Sequence, residues 1–188
     1  MKSFFSTFKD SAAELKNIRC LTVTGILVAI FIILDMFSIR IGDFIKVNFA
    51  FVALASVGML FGPVTAMLAA LAGDLIGCIL SGQAPLPLLS LTAVSEGLLY
   101  GIMLYKKTGT KLVTMSVISR VIDSAVISLI LNTVILQYYG FMSTTAEQFY
   151  IRCGKIGAEL IVFIPLVIIV MPAVYAVYSK IFRIKPQT

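Results

Sequence analysis

The sequence predicts an all-α fold: a bundle of six membrane-spanning helices with both termini on the cytoplasmic side. Three observations lead there. Hydrophobic residues make up 60% of the chain and charged residues only 13%, against roughly 45–50% and about 25% in soluble domains. With 188 residues there is too little interior to hide that much apolar surface from water. The Lys and Arg residues are distributed unequally at the ends of the apolar runs, as positive-inside signals are. One compact membrane domain at 20–182 is expected, after a cytoplasmic interfacial segment at 1–19 and before a short cytoplasmic tail at 183–188.

Taken in order, residues 1–19 place Phe4, Phe8, Ala12 and Leu15 at helical spacing, with Lys2, Lys9, Asp10, Glu14 and Lys16 between them. That pattern suits a short helix lying on the membrane surface. The run beginning at Cys20 has too long an apolar core, and no small-residue cleavage site, for a removable signal peptide. The expected spans are 20–37, 47–62, 63–80, 84–105, 112–139 and 156–182. The second and third run together without a polar break. A single helix over 47–80 would be about 50 Å long, whereas a bilayer core is about 30 Å thick. Gly62-Pro63 supplies the break, because proline lacks a backbone donor and restricts the residue before it.

With the N-terminus inside, Lys2, Lys9, Lys16, Arg19, Lys106, Lys107, Lys111, Lys180, Arg183 and Lys185 share one side. Only Arg40, Lys46, Arg152 and Lys155 fall on the other, and Arg120 lies within a span. This imbalance favours both ends inside and an even number of spans.

Most of the remaining polar groups lie toward the outer side: Asp35, Arg40, Asp43, Lys46, Asn48, Asp74, Asn132, Gln137, Arg152, Lys155 and Glu159. An outward-opening pocket explains them together, since ionisable groups within spans face a protein interior or a cavity. For Arg40, Lys46 and Arg152 taken singly, snorkelling to the interface is an equal explanation. Asp74 lies too far into its span for that, which leaves a pocket or a helix-packing role. Arg120 and Asp123, three residues apart, share a helix face and are expected to pair as a structural pin, with Glu96 a further member of their network. The loops 38–46 and 81–87 flank the expected pocket mouth, and 140–151 is the longest connection. Each is either a lid or a plain connector. On the inner half, Gly25 and Ala29 make a small-xxx-small pattern, and Ala66, Ala69, Ala70 and Gly73 follow in the third span. Such residues serve either a partner's close approach or packing within the bundle.

Several functions are excluded or disfavoured. The chain has no histidine, which removes His-based triads and His-ligated metals. Cys20, Cys78 and Cys153 are isolated and form no metal-type cluster. No Walker A, HExxH or GxSxG pattern occurs. No catalytic residue, metal or cofactor is expected, and the positive charges flank spans rather than forming a nucleic-acid face.

Specific stretches resemble the substrate-binding S components of energy-coupling factor (ECF) vitamin transporters. These are Ser38–Gly42, Lys46–Phe49, Gly58-Met-Leu-Phe-Gly-Pro63 and Gly73-Asp74-Leu-Ile-Gly77. Gly97–Gly101, Leu104–Lys107, Leu131-Asn132-Thr133, Tyr139-Gly140 and the Arg152/Lys155 pair extend the likeness over roughly residues 14–180. The last pair and Leu131-Asn132-Thr133 point to the folate group. The resemblance implies a non-enzymatic subunit in the bacterial plasma membrane that captures one vitamin from outside. It further implies docking onto a transmembrane coupling protein carried by two ATPases. The family's AxxxA docking motif corresponds here to Gly25 and Ala29, and Ala66 and Ala70 join the expected docking surface. Departures are the short Gln83–Pro87 loop and the charged residues Glu96, Arg120 and Asp123.

A folate has a flat pterin, a benzoyl linker and a glutamate dianion. Asn48, Asp74 and Asn132 suit the N–H donors of the pterin edge. Phe49, Phe51 and Tyr100 suit its faces, and Arg40, Lys46, Arg152 and Lys155 suit the dianion. Alternatives are an S component for another vitamin such as pantothenate, a membrane scaffold subunit, and an enzyme acting on lipids through Asp74 and Glu96.

Overall fold

A computed structural model describes the backbone of residues 2–37, 39–41, 45–140 and 146–182. Side chains are described for these residues apart from 2–5, 39–41, 45–47, 146–149, 155 and 181–182. Among the described residues the regular structure is helical except for one small ribbon. Helix α1 (Lys2–Glu14) is followed by α2 (Ile18–Met36) and by two short antiparallel strands, β1 (Ile39–Ile41) and β2 (Ile45–Val47). Arg40 stands opposite Lys46 in that ribbon. Then come α3 (Ala50–Phe61), α4 (Pro63–Leu80) and α5 (Pro87–Leu104). Helix α6 (Gly109–Ile122) continues through a π-helical stretch (Asp123–Leu131) into α7 (Asn132–Tyr138), and α8 (Ala146–Phe182) ends the described chain.

Five helical segments are long and apolar enough to cross a membrane: α2, α4, α5, the run Gly109–Tyr138 and Tyr150–Lys180 of α8. The protein is therefore a multi-pass membrane protein. The second expected span differs. Over 47–62 the chain gives the end of β2 and the 12-residue α3, which rises only about 18 Å. It is the central helix, with all but Val52 and Leu60 buried, and it packs against α2, α4, α5 and α8. A helix that is apolar on every side belongs in a core as readily as in lipid.

The break at Gly62-Pro63 is as expected. Helix α3 stops at Phe61 and α4 starts at Pro63, where a missing backbone donor costs nothing. Gly62 takes φ +84°, a conformation that disfavours side chains. A buried side chain from α1 closes this break. Ser11, with no exposed surface, donates its hydroxyl to the Phe61 carbonyl at 2.7 Å and accepts from the N–H groups of Val64 at 3.1 Å and Thr65 at 3.4 Å. One hydroxyl thus satisfies orphan groups at the end of one helix and the start of the next. On the same side, Lys106 and Asp10 form an exposed ion pair at 2.7 Å, which adds little stability.

Helices α4 and α5 approach closely. A Cβ at Gly97 would lie 2.5 Å from the Ala66 carbonyl oxygen, and one at Gly101 would lie 2.3 Å from the Pro63 Cα. Ala66 and Ala70 have no exposed surface. These two alanines, expected on a docking surface, instead pack inside the bundle, because small residues here let α5 come within backbone contact. Gly25 and Ala29 are different. Both are exposed on α2, and no atom lies within 4 Å of a Cβ placed at Gly25.

Candidate functional site

A cavity of about 470 Å³ opens between α2, α3, α4, α5, the α6–α7 run and α8. Its volume is in the range of small-molecule sites. Helix directions order its lining by depth. On α5 the lining residues Leu86, Leu89, Thr92, Ala93 and Glu96 recur every three or four positions, as one helix face does. Glu96 is the deepest of them, ten residues or about 15 Å from Leu86. On α8, Arg152, Ile156, Glu159 and Phe163 show the same spacing, with Arg152 at the mouth and Phe163 at the bottom. The floor is thus formed by Phe31, Phe51, Gly73, Glu96, Arg120 and Phe163. The mouth is formed by Asp35, Asn48, Ser81, Gln83, Ala84, Leu86, Asn132 and Arg152.

The floor is held by a buried charged network. Arg120 donates to Asp123 at 2.6 Å and to the Tyr100 hydroxyl at 3.3 Å, and that hydroxyl donates to Asp123 at 3.0 Å. The guanidinium also lies over the rings of Phe51 (4.2 Å) and Phe163 (4.6 Å), a cation–π arrangement that compensates a buried Arg. Arg120 is 8% exposed and Asp123 1%. The pair has the expected pin geometry, and it also lines the cavity. Glu96, expected within this network, lines the cavity but makes no hydrogen bond to it among the described residues. The π-helical stretch begins at Asp123, and such segments are frequent at functional sites.

Two further lining carboxylates, Asp74 and Asp35, are held by hydrogen bonds. Ser90 of α5 donates to Asp74 of α4 at 2.6 Å. Asn48 donates to Asp35 of α2 at 2.6 Å and accepts from the Ala50 N–H at 2.8 Å, a side-chain turn that opens α3. Near the mouth Arg152 donates to Thr133 of α7 at 2.9 Å. The Oδ1 of Asn132 is buried with no hydrogen-bond partner among the described residues.

The cavity therefore gathers Asn48, Asp74, Asn132 and Arg152 from four separate parts of the chain. Tyr100 is not in its wall: it is 1% exposed and lies behind Asp123. The side chains of Arg40, Lys46 and Lys155 lie outside the described residues, although the backbone sets Arg40 and Lys46 directly across the ribbon from one another. The loop expected at the mouth contributes Ser81, Gln83, Ala84 and Leu86. Residues 141–145 of the longest connection lie outside the described residues. Of the aromatic candidates, Phe51 lines the cavity, whereas Phe49 packs edge-on to Phe163 at 5.9 Å. Phe31 and Phe163 were not among the candidates. The signal for Phe163 was its place eleven residues, or three helical turns, after Arg152 on one face.

This arrangement places a polar cavity in an apolar, multi-pass bundle, with no groups of His, Cys, Asp or Glu suited to a metal among the described residues. Residues 15–184 match the family described as ECF-type riboflavin transporter, S component. The chain belongs to that family. The S components are transporter subunits rather than enzymes. Among solved structures, the crystal structure of FolT bound with folic acid resembles this S component with a TM-score of 0.67. The likeness covers 90% of this chain and 96% of that one at 22% identity, and it establishes the fold. No curated protein matches this sequence.

Proposed function

We propose that this S component captures folate from outside the cell for ATP-driven uptake. The observation that carries the reading is the polarity of the cavity along its depth. Carboxyl groups and aromatic rings lie on the floor and wall, where Asp123 pairs with the Arg120 guanidinium, and the Arg152 guanidinium stands at the mouth with Asn48, Asn132 and Asp35. Hydrogen-bond acceptors deep in an aromatic-lined cavity suit the N–H edge of a pterin. Arg152, on the helix that packs against β2, suits the glutamate dianion. The family description refers to riboflavin, whose ribityl tail is neutral and offers no carboxylate to Arg152. Pantothenate has one carboxylate and no flat ring for the phenylalanines.

The uptake step rests on the family. An S component docks on a transmembrane coupling protein that two ATPases drive. Both ends inside, as the Lys and Arg distribution favours, would turn the cavity mouth outward and the basic end toward the ATPases. The exposed Gly25 and Ala29 on α2 suit the docking face.

The test is ligand-induced thermal stabilisation of the purified protein, with folate, riboflavin and pantothenate compared at micromolar concentration. A ligand that binds only the folded protein raises its stability with the excess of ligand over Kd. Folate is expected to raise the melting temperature and the other two to leave it unchanged. Stabilisation by riboflavin alone would transfer the assignment to the vitamin in the family's description.

A further inference from the structure

Glu96 makes no hydrogen bond at the cavity floor among the described residues, and the buried Nε of Arg120 and Oδ1 of Asp123 beside it also lack one. A carboxylate within the membrane region is costly and faces a partner or a ligand. Its neighbours are already engaged. Asp123 is held by Arg120 and Tyr100, Asp74 by Ser90, and Asp35 by Asn48. Glu96 lines the cavity, keeps some exposed surface, and has no hydrogen-bond partner among the described residues. It lies four residues before Tyr100 on the same helix, one turn from the Arg120–Asp123 pair.

The charge balance of the floor follows. Arg120 and Asp123 pair with one another at 2.6 Å, which leaves Glu96 as the remaining carboxyl group of the floor. A carboxylate there repels a carboxylate tail and attracts a group with adjacent N–H donors. Phe31, Phe51 and Phe163 line the same floor, an aromatic surround that suits a flat ring rather than a flexible ammonium. Only a ring whose edge carries two neighbouring donors matches both sides of a carboxylate at once.

We infer that Glu96 is the specificity-determining residue of this S component, reading the 2-amino-4-oxopyrimidine edge of a ligand inserted ring-first. Its two oxygens accept from the ring N–H and the exocyclic amine. The ligand's anionic tail then points back to Arg152 at the mouth, about 15 Å along the helices. A flavin edge presents one N–H between two carbonyls. Against a carboxylate it would gain one hydrogen bond and set two acceptors beside the charge. This inference rests on the folate reading and extends it to the orientation of the ligand and to the exclusion of flavins.

The experiment is a two-by-two titration by calorimetry on the purified full-length protein. Wild type and Glu96→Gln are each titrated with folate and with its 2-desamino-2-methyl analogue, which lacks the exocyclic donor. Folate is expected to lose about 10- to 100-fold in affinity in the variant, the range of a charge-assisted hydrogen bond to a buried carboxylate. The analogue is expected to bind wild type correspondingly weakly and to change little between the two proteins. Equal loss of both ligands in the variant would make Glu96 a structural residue and overturn the inference. So would wild-type protein that binds folate and analogue alike, a comparison that holds even if the variant does not fold. Wild-type protein that ignores folate altogether would overturn the folate reading and the inference with it.

Discussion

Arg152 holds its position through Thr133, a contact that ties the mouth end of α8 to α7. A guanidinium so placed is pre-oriented for a carboxylate and needs little further ordering to bind one. Replacing it with alanine is expected to weaken folate binding about 10- to 100-fold, as loss of a charge-assisted hydrogen bond does. Binding of pteroate, which lacks the glutamate, is expected to change far less. Titration of both ligands checks this, and an equal loss for the two would remove Arg152 from tail recognition. The sequence made Arg152, Asp74, Asn48 and Asn132 legible because polar residues in apolar runs stand out against their surroundings. It concealed Phe31 and Phe163 for the opposite reason: an aromatic residue facing a cavity reads like one facing lipid. Tyr100 misled because a hydroxyl-bearing ring serves a wall or a buried hydrogen bond equally well, and only the position of Asp123 decides between them.

At the scale of elements, the junction of α3 and α4 shows what periodicity can and cannot deliver. Gly62-Pro63 marks the break, since both residues impose local backbone constraints. The length of α3 was not legible. Its apolar run continues back through Phe49 to Val47, but Asn48 caps the Ala50 N–H and the preceding residues pair as a ribbon. Hydropathy does not distinguish a central core helix from a spanning one. The role of Ser11 was equally hidden, because its partners lie fifty or more residues away. Ser11→Ala is expected to destabilise the protein by about 1–3 kcal/mol, by leaving the Val64 and Thr65 N–H groups without their partner and the Phe61 carbonyl with only the longer Thr65 hydroxyl contact. Gly101→Ala is expected to be at least as damaging, since its methyl would enter the Pro63 backbone and overpacking costs about 1–3 kcal/mol even where side chains can move. Thermal unfolding in detergent checks both; unchanged melting of either variant would refute the close packing described for that contact.

At the scale of the whole molecule, the polar cavity and the small-residue face of α2 lie on different surfaces. The cavity gathers polar groups at one end, while α2 presents Gly25 and Ala29 among exposed Leu21, Ile26, Ile30 and Ile33. Apolar exposure is ordinary in lipid, so the isoleucines alone say nothing about a partner. The gap between them does: small residues on an exposed face let another helix reach the backbone. Gly25→Leu is therefore expected to leave folate binding and thermal stability unchanged, because nothing within the chain approaches that position. It is expected to abolish assembly with the coupling protein and ATPases, and with it uptake into cells. Ala70→Leu provides the contrast. Ala70 has no exposed surface, so a larger side chain there disturbs the α4–α5 contact and is expected to lower stability and binding together. Co-purification with the coupling proteins, alongside ligand titration, separates the outcomes. A Gly25→Leu protein that binds folate and still assembles would place the docking face elsewhere on the bundle, whereas one that loses both would mean that α2 also shapes the cavity.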